Sequence, residues 1–411
     1  MVSLALLLFA HLLYSQPPRP YFRIERMAQR WAFINAQGQP FLAIGANHTG
    51  KFLENPQQSA PLLARFHQDR ARAEAALAKS MRDLHLTAGE AYRPLLPSLK
   101  QQFPYIEDVT FPNGEKFRFD LFDPSVREQI RRHVASQCAA FAADPNVLGV
   151  GFADQPVWGP PRMAYFRNLS AGAPGKQRYV EFLRSRYTGI RTLNAAYRTN
   201  FSSFEDALAP FSSAGVQQDD EDFLAMAADS LYALLRDTVR ESAPHHLFFG
   251  EKFVLRRYPD AVLKAIGRHV DVFLTQALIL SPQRPPEWQI FQPEAYRKEH
   301  ALTGNKPMII VDWASPFSLD EAYDSNHGRI EAEPQASAAA ARWLSDAFRE
   351  PYIIGVFMCQ FIGTHGNDRH FPTGRMKRTY LRDDGAPFSA RVRAMRQAHL
   401  SIVRGLRRKA P

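Results

Sequence analysis

Asp123-Pro-Ser-Val-Arg-Glu-Gln-Ile130 opens, and Asp144-Pro-Asn-Val-Leu-Gly149-Val-Gly-Phe152-Ala-Asp154-Gln155-Pro-Val-Trp158-Gly159 closes, the stretch whose reading decides the fold. Asp123 is a helix N-cap type and Pro124 suits the first helical position. Val126, Ile130, Val134, Cys138 and Phe141 then recur at spacings of three or four, the stripe of an amphipathic helix over 125–142. Asp144-Pro145 stops it. Residues 146–152 form a continuous apolar run, as in a strand buried on both faces of a parallel sheet.

The alternation continues outward in both directions. Upstream lie an apolar run over 41–47 behind a turn at 37–40, a long helical pattern over 60–83, a weaker strand at 84–87 and a further strand near 103–108. Downstream, a helix over 221–242 uses Leu224, Ala228, Leu231, Leu235 and Val239. Strands follow at 247–250, 270–275, 308–311 and 353–359, with helical patterns near 258–268, 292–303, 335–349 and 386–406. Eight buried strands, most followed by a helix, imply the α/β class and a (β/α)₈ TIM barrel, with an extended helical insertion after strand four. One domain is expected over 20–408. A doubly wound open sheet is the rival, but no Gly-rich phosphate loop follows the first strand.

An apolar share of 45% and a charged share of 22% fit an ordinary globular protein. The net charge of +10 comes from arginines spread along the chain, densest at Arg404, Arg407, Arg408 and Lys409. No recognition motif accompanies it, so nucleic acid is excluded as a partner. Residues 2–14 are almost wholly apolar but too few to span a bilayer. Residues 1–15 therefore read as a signal peptide, and a secreted or periplasmic location without stable membrane insertion is expected. A misassigned start or a lipid-facing anchor is the alternative. Cys138 and Cys359 provide no disulfide framework and read as buried small apolar residues.

Four segments carry a resemblance: Phe33–Phe41 with Ile44-Gly-Ala-Asn47-His48; Phe122-Asp-Pro124 through Trp158-Gly159; Phe182 through Phe204; and Tyr380 through Phe388. In this order they resemble clan A glycoside hydrolases, particularly family 42 β-galactosidases and family 50 agarase-like enzymes. The resemblance implies hydrolysis of O-glycosidic bonds in a β-linked, galactose-type oligo- or polysaccharide by two carboxyl groups. It places the acid/base Glu directly after an Asn at the end of strand four, and the nucleophilic Glu at the end of strand seven.

In this chain those positions are altered. Gln155 falls at the acid/base position, and an amide has no titratable proton to give. Its neighbour Asp154 is either a displaced acid or a ligand for a sugar hydroxyl. Asp312 falls at the nucleophile position; aspartate is competent there, though one methylene shorter, a retreat of roughly 1.5 Å in chemistry sensitive to about 1 Å. A structural carboxylate capping the next helix is the alternative for Asp312.

Further strand-end candidates for substrate binding are Asn47, His48, Glu90, Glu251, Lys252, Gln276 and Gln360, with Glu251 also an alternative acid. Trp158 and Trp313 are candidate sugar-stacking faces or else core. His365, Asp368 and His370 cluster after strand eight at a spacing that matches no metal motif, and no metal or cofactor is implied. Three functions stay open: a glycosidase, a catalytically inactive barrel that binds carbohydrate, and an unrelated enzyme on the same scaffold.

Overall fold

Among the residues that the computed structural model describes (21–91, 95–112, 119–159, 162, 164–211, 217–277, 290–325, 328–363 and 376–407), seven parallel strands form one continuous sheet. In hydrogen-bonded order these are the first (Ala43–Ala46), eighth (Ile353–Met358), seventh (Met308–Trp313), sixth (Phe273–Gln276), fifth (Phe248–Val254), fourth (Val147–Asp154) and third (Tyr105–Asp108). Residues 87–90 fill the gap between third and first. Thr87 N–H donates to Ile44 O at 2.8 Å and Ala46 N–H to Gly89 O at 3.1 Å. On the other side Gly89 N–H donates to Pro104 O at 2.7 Å and Ile106 N–H to Glu90 O at 2.9 Å. The ring is closed, as the alternation predicts.

The second stave is displaced from the expected 84–87. Leu84 still caps the preceding helix and His85 takes a φ of 53°, so the extended backbone begins only afterwards. Inside the ring, Met308, Ile309, Ile310 and Val311 are fully buried, which is why this segment carries no polar alternation. Gly149 is required for packing: a Cβ there would stand 2.3 Å from the Phe249 ring.

The helices flank the ring. The pattern over 60–83 is two helices, α1 (Pro56–Arg65) and α2 (Arg70–Asp83), because His67 and Gln68 adopt φ of 54° and 62° and Asp69 starts a new helix by accepting from Arg72 N–H at 3.0 Å. A short α3 (Pro97–Lys100) precedes the third strand, and α4 (Pro124–Phe141) follows it. As expected, α4 is capped by Asp123, which accepts from Ser125 N–H at 2.8 Å, and it buries Ile130, Val134, Cys138 and Phe141. Between the fourth and fifth strands stand α5 (Pro174–Arg186), α6 (Ile190–Tyr197) and the long α7 (Gln217–Ser242). They are tied by buried polar groups, with Tyr187 and Tyr197 donating to Asp219 at 2.6 and 2.8 Å and Tyr179 to Asp220 at 2.8 Å. The circuit is completed by α8 (Asp260–Gly267), α9 (Pro293–Leu302), α10 (Glu333–Ala347) and α11 (Ser389–Arg407). No helix among the described residues is long and apolar enough to cross a membrane. The signal-like segment 1–15 and His365, Asp368 and His370 lie outside the described residues.

An antiparallel hairpin that the sequence pattern does not announce, Arg23–Met27 with Arg30–Ile34, lies at the N-terminal end of the ring. Its Arg30 guanidinium donates to Phe348 O at 2.7 Å and Ile353 O at 2.8 Å, joining the end of α10 to the start of the eighth strand. A cation beside the last carbonyls of a helix is favoured by the helix dipole. The opposite, C-terminal end is left for the loops.

α11 docks through the fully buried His399, whose Nδ1 lies 2.7 Å from Leu84 O and so carries the ring proton. Burial lowers this imidazole from 6.5 to about 4. The unfolded chain takes up the proton first, so the folded state has its full stability above pH 6.5 and loses it as the pH falls toward 4, by up to about 3 kcal/mol. Urea unfolding from pH 7 to pH 4 is expected to show this fall, and His399→Gln to flatten it. An unchanged pH slope in the variant would refute the assignment.

Candidate active site

At the C-terminal ends of three barrel strands the backbone is held in the left-handed region by residues other than glycine: His48 (φ 58°) after the first, Gln155 (φ 50°) after the fourth and Asp312 (φ 58°) in the seventh. Such backbone costs free energy and persists where surrounding contacts impose it, commonly at sites of function. All three are residues the sequence singles out.

Around these positions the strand ends form two polar clusters. One joins strands three to six. The Lys252 ammonium is fully buried, donating to Asp108 and, at 2.7 Å, to Phe152 O. The Gln276 amide donates to Asp154 and, at 3.3 Å, to Lys252 O, which also accepts from Gln155 N–H at 3.0 Å. Burial pushes the Asp108 carboxyl up, against the pull of Lys252, with Asp154 and Glu107 adding to the rise. Gln155 itself is exposed.

The second cluster joins strands seven, eight, one and two. Asn47 is fully buried; its amide donates to Asp312 Oδ1 at 3.2 Å, and its oxygen accepts from Ala91 N–H at 3.2 Å. Glu90, also buried, accepts from Thr49 N–H at 3.1 Å and Thr49 Oγ1 at 3.3 Å. Cys359 sits against Asp312, and its thiol is pushed well up by burial, by the Asp312 charge and by Glu90, with Arg378 acting in the opposite direction. His48 completes the group. Gln360 turns away along its own loop, donating to Ile362 O at 3.0 Å.

Two expectations are corrected. Trp158 and Trp313 are fully buried, so neither presents a face to a sugar. Trp313 stacks on Trp343 with ring centres 4.3 Å apart. Trp158 donates its indole N–H to Glu251 Oε2 at 2.6 Å. Glu251 is likewise removed as an alternative acid: it is fully buried, and the same oxygen accepts from Tyr232 at 2.9 Å on α7. Because successive strand residues point to opposite faces, Lys252 faces the ring and Glu251 the helices. Glu251 thus anchors the loop 155–159 from behind.

No protein-family model matches the chain, nor does any curated protein. Among solved structures, an agarase shares 18% identity with a TM-score of 0.78, covering 95% of this chain and 66% of its own. The fold is the one seen in that agarase. An exo-β-agarase aligns at 15% identity and TM-score 0.73, covering 94% of this chain and 66% of that one. A β-galactosidase from the psychrophilic Marinomonas ef1 aligns at 14% identity and TM-score 0.54, covering 88% and 60%. The chain therefore spans about two thirds of the length of these agarases.

Sequence reasoning missed three members of the clusters. Asp108 ends the third strand and was open to the same strand-end rule that selects Gln276. Cys359 was sorted by its apolar character alone, and Arg378, near Cys359, lies outside every barrel strand, where no periodicity points to it.

Glu251→Ala is expected to leave the buried Trp158 and Tyr232 donors without this acceptor and to cost about 2–5 kcal/mol in urea unfolding, whereas Glu251→Gln, which keeps an oxygen, costs less. Unchanged stability with lost activity in Glu251→Ala would instead return this carboxylate to the chemistry.

Proposed function

We propose that the barrel takes a β-linked, galactose-type oligo- or polysaccharide at its C-terminal mouth and hydrolyses the O-glycosidic bond with retention. Asp312 is the nucleophile: it attacks the anomeric carbon while Asp154 protonates the departing oxygen, and Asp154 then takes a proton from the water that releases the sugar. Retention by this route needs the two carboxyl groups about 5–5.5 Å apart in the working enzyme. The observation that carries the proposal is the Asp312 carboxylate, held at the end of strand seven by left-handed backbone and the buried Asn47 amide, in a barrel with the fold of agarases. A secreted or periplasmic setting belongs to the same proposal.

A second reading, a barrel that binds carbohydrate without cleaving it, is favoured by two observations. The resemblance sets Gln155, an amide, at the acid/base position, and Asp154 is already engaged as an acceptor of the Gln276 amide.

Chromogenic β-galactosides and agarose oligosaccharides, assayed with wild type, Asp154→Asn, Asp312→Ala and Gln155→Glu, separate the two. Hydrolysis by wild type, reduced about 10²–10⁴-fold in Asp154→Asn and lost in Asp312→Ala, is expected. An inert wild type that binds the oligosaccharide calorimetrically, with hydrolysis appearing only in Gln155→Glu, would establish the binder. Hydrolysis that survives Asp312→Ala would overturn the nucleophile.

A further inference from the structure

Strands one, seven and eight deliver three different metal-ligating groups to one point. A ring nitrogen of His48, a carboxylate oxygen of Asp312 and Cys359 Sγ all lie within 4.8 Å of one another. We propose that these three residues form a binding site for a single divalent cation of the zinc class, and that the bound cation occupies the Asp312 carboxylate.

The donor set suits that class. Imidazole, thiolate and carboxylate together select a borderline-soft ion rather than magnesium or calcium, which prefer oxygen alone. Three protein ligands leave a fourth position open for water or substrate, as in catalytic rather than structural zinc sites. Metal–ligand bonds of about 2.0–2.3 Å place tetrahedral ligand atoms about 3.5 Å apart, so the present spacing closes by a side-chain adjustment of about an ångström. Asn47, donating to Asp312 Oδ1 at 3.2 Å, orients the carboxylate from outside, as groups behind metal ligands commonly do.

On binding, the Cys359 proton leaves to solvent and the sulfur becomes a thiolate. His48 and Asp312 both keep left-handed backbone to point into this cluster, and Cys359 N–H is tied to Trp313 O at 2.6 Å, which locks the seventh and eighth strand ends together.

The site itself stands independently of the hydrolytic function; only its inhibitory consequence rests on Asp312 being the nucleophile. Metal-free protein titrated with Zn²⁺ by calorimetry is expected to take up one ion per chain, and Co²⁺-loaded protein to show a thiolate-to-cobalt charge-transfer band. Cys359→Ser removes the band, Cys138→Ser keeps it, and His48→Ala weakens Zn²⁺ affinity at least about 10-fold. Circular dichroism confirms that each variant is folded; should Cys359→Ser not fold, the affinity of His48→Ala carries the test. No stoichiometric uptake by wild type, a band that persists in folded Cys359→Ser, or unchanged affinity in His48→Ala overturns the site. Zn²⁺ is further expected to suppress hydrolysis and a chelator to restore it. Stoichiometric uptake with hydrolysis unaffected would overturn the inhibition, and with it Asp312 as nucleophile, while leaving the cation site standing.

Discussion

The closed ring of backbone hydrogen bonds is the constraint on which the rest of this molecule depends. A buried parallel sheet has no water to satisfy its edges, so every edge N–H and C=O needs a partner. Here the closure runs through residues 87–90, an irregular segment that bonds the first strand on one side and the third on the other. In the closed ring the seven strands and the 87–90 segment run the same way and their C-terminal ends converge. That convergence brings Asn47, Glu90, Asp108, Asp154, Lys252, Gln276, Asp312 and Cys359 to one end of the barrel, though they lie far apart along the chain.

The polar groups at that end are stabilised in two layers. Facing the ring, buried Lys252 neutralises Asp108, and Gln276 and Asn47 fix the two carboxylates of interest, Asp154 and Asp312. Behind it, Glu251 ties Trp158 to Tyr232 on α7 and so holds the loop that carries Gln155. Buried charges are tolerated only with such partners. The second layer is invisible to a list of polar residues at strand ends, because Glu251 and Lys252 are neighbours in sequence and do opposite jobs.

Amide side chains recur around the end of the fourth strand, where Gln155 follows it and Gln276 donates to Asp154. The cluster at the ends of the first, seventh and eighth strands is different in kind, gathering the His48 imidazole, the Asp312 carboxylate and the Cys359 thiol. The scaffold has the fold of agarases while its mouth carries a mixed donor set. Fold and site therefore give separate information, and the function has to be argued from the site.

The alternation of buried strands and amphipathic helices was enough to determine the α/β class, seven of the staves and most helix positions, because periodicity and caps are local. The Asp123 cap and the Val126-to-Phe141 stripe are legible without any long-range contact. The break at His67 and Gln68, the shift of the second stave to 87–90 and the hairpin held by Arg30 were not legible, since each depends on a partner elsewhere in the chain. The same divide runs through the site. The resemblance, with position at a strand end, singles out Asp154, Gln155 and Asp312, but burial and orientation depend on which helix packs behind each strand. Only the tertiary structure could therefore withdraw Trp158, Trp313 and Glu251 from the mouth and bring Cys359 and His48 to Asp312.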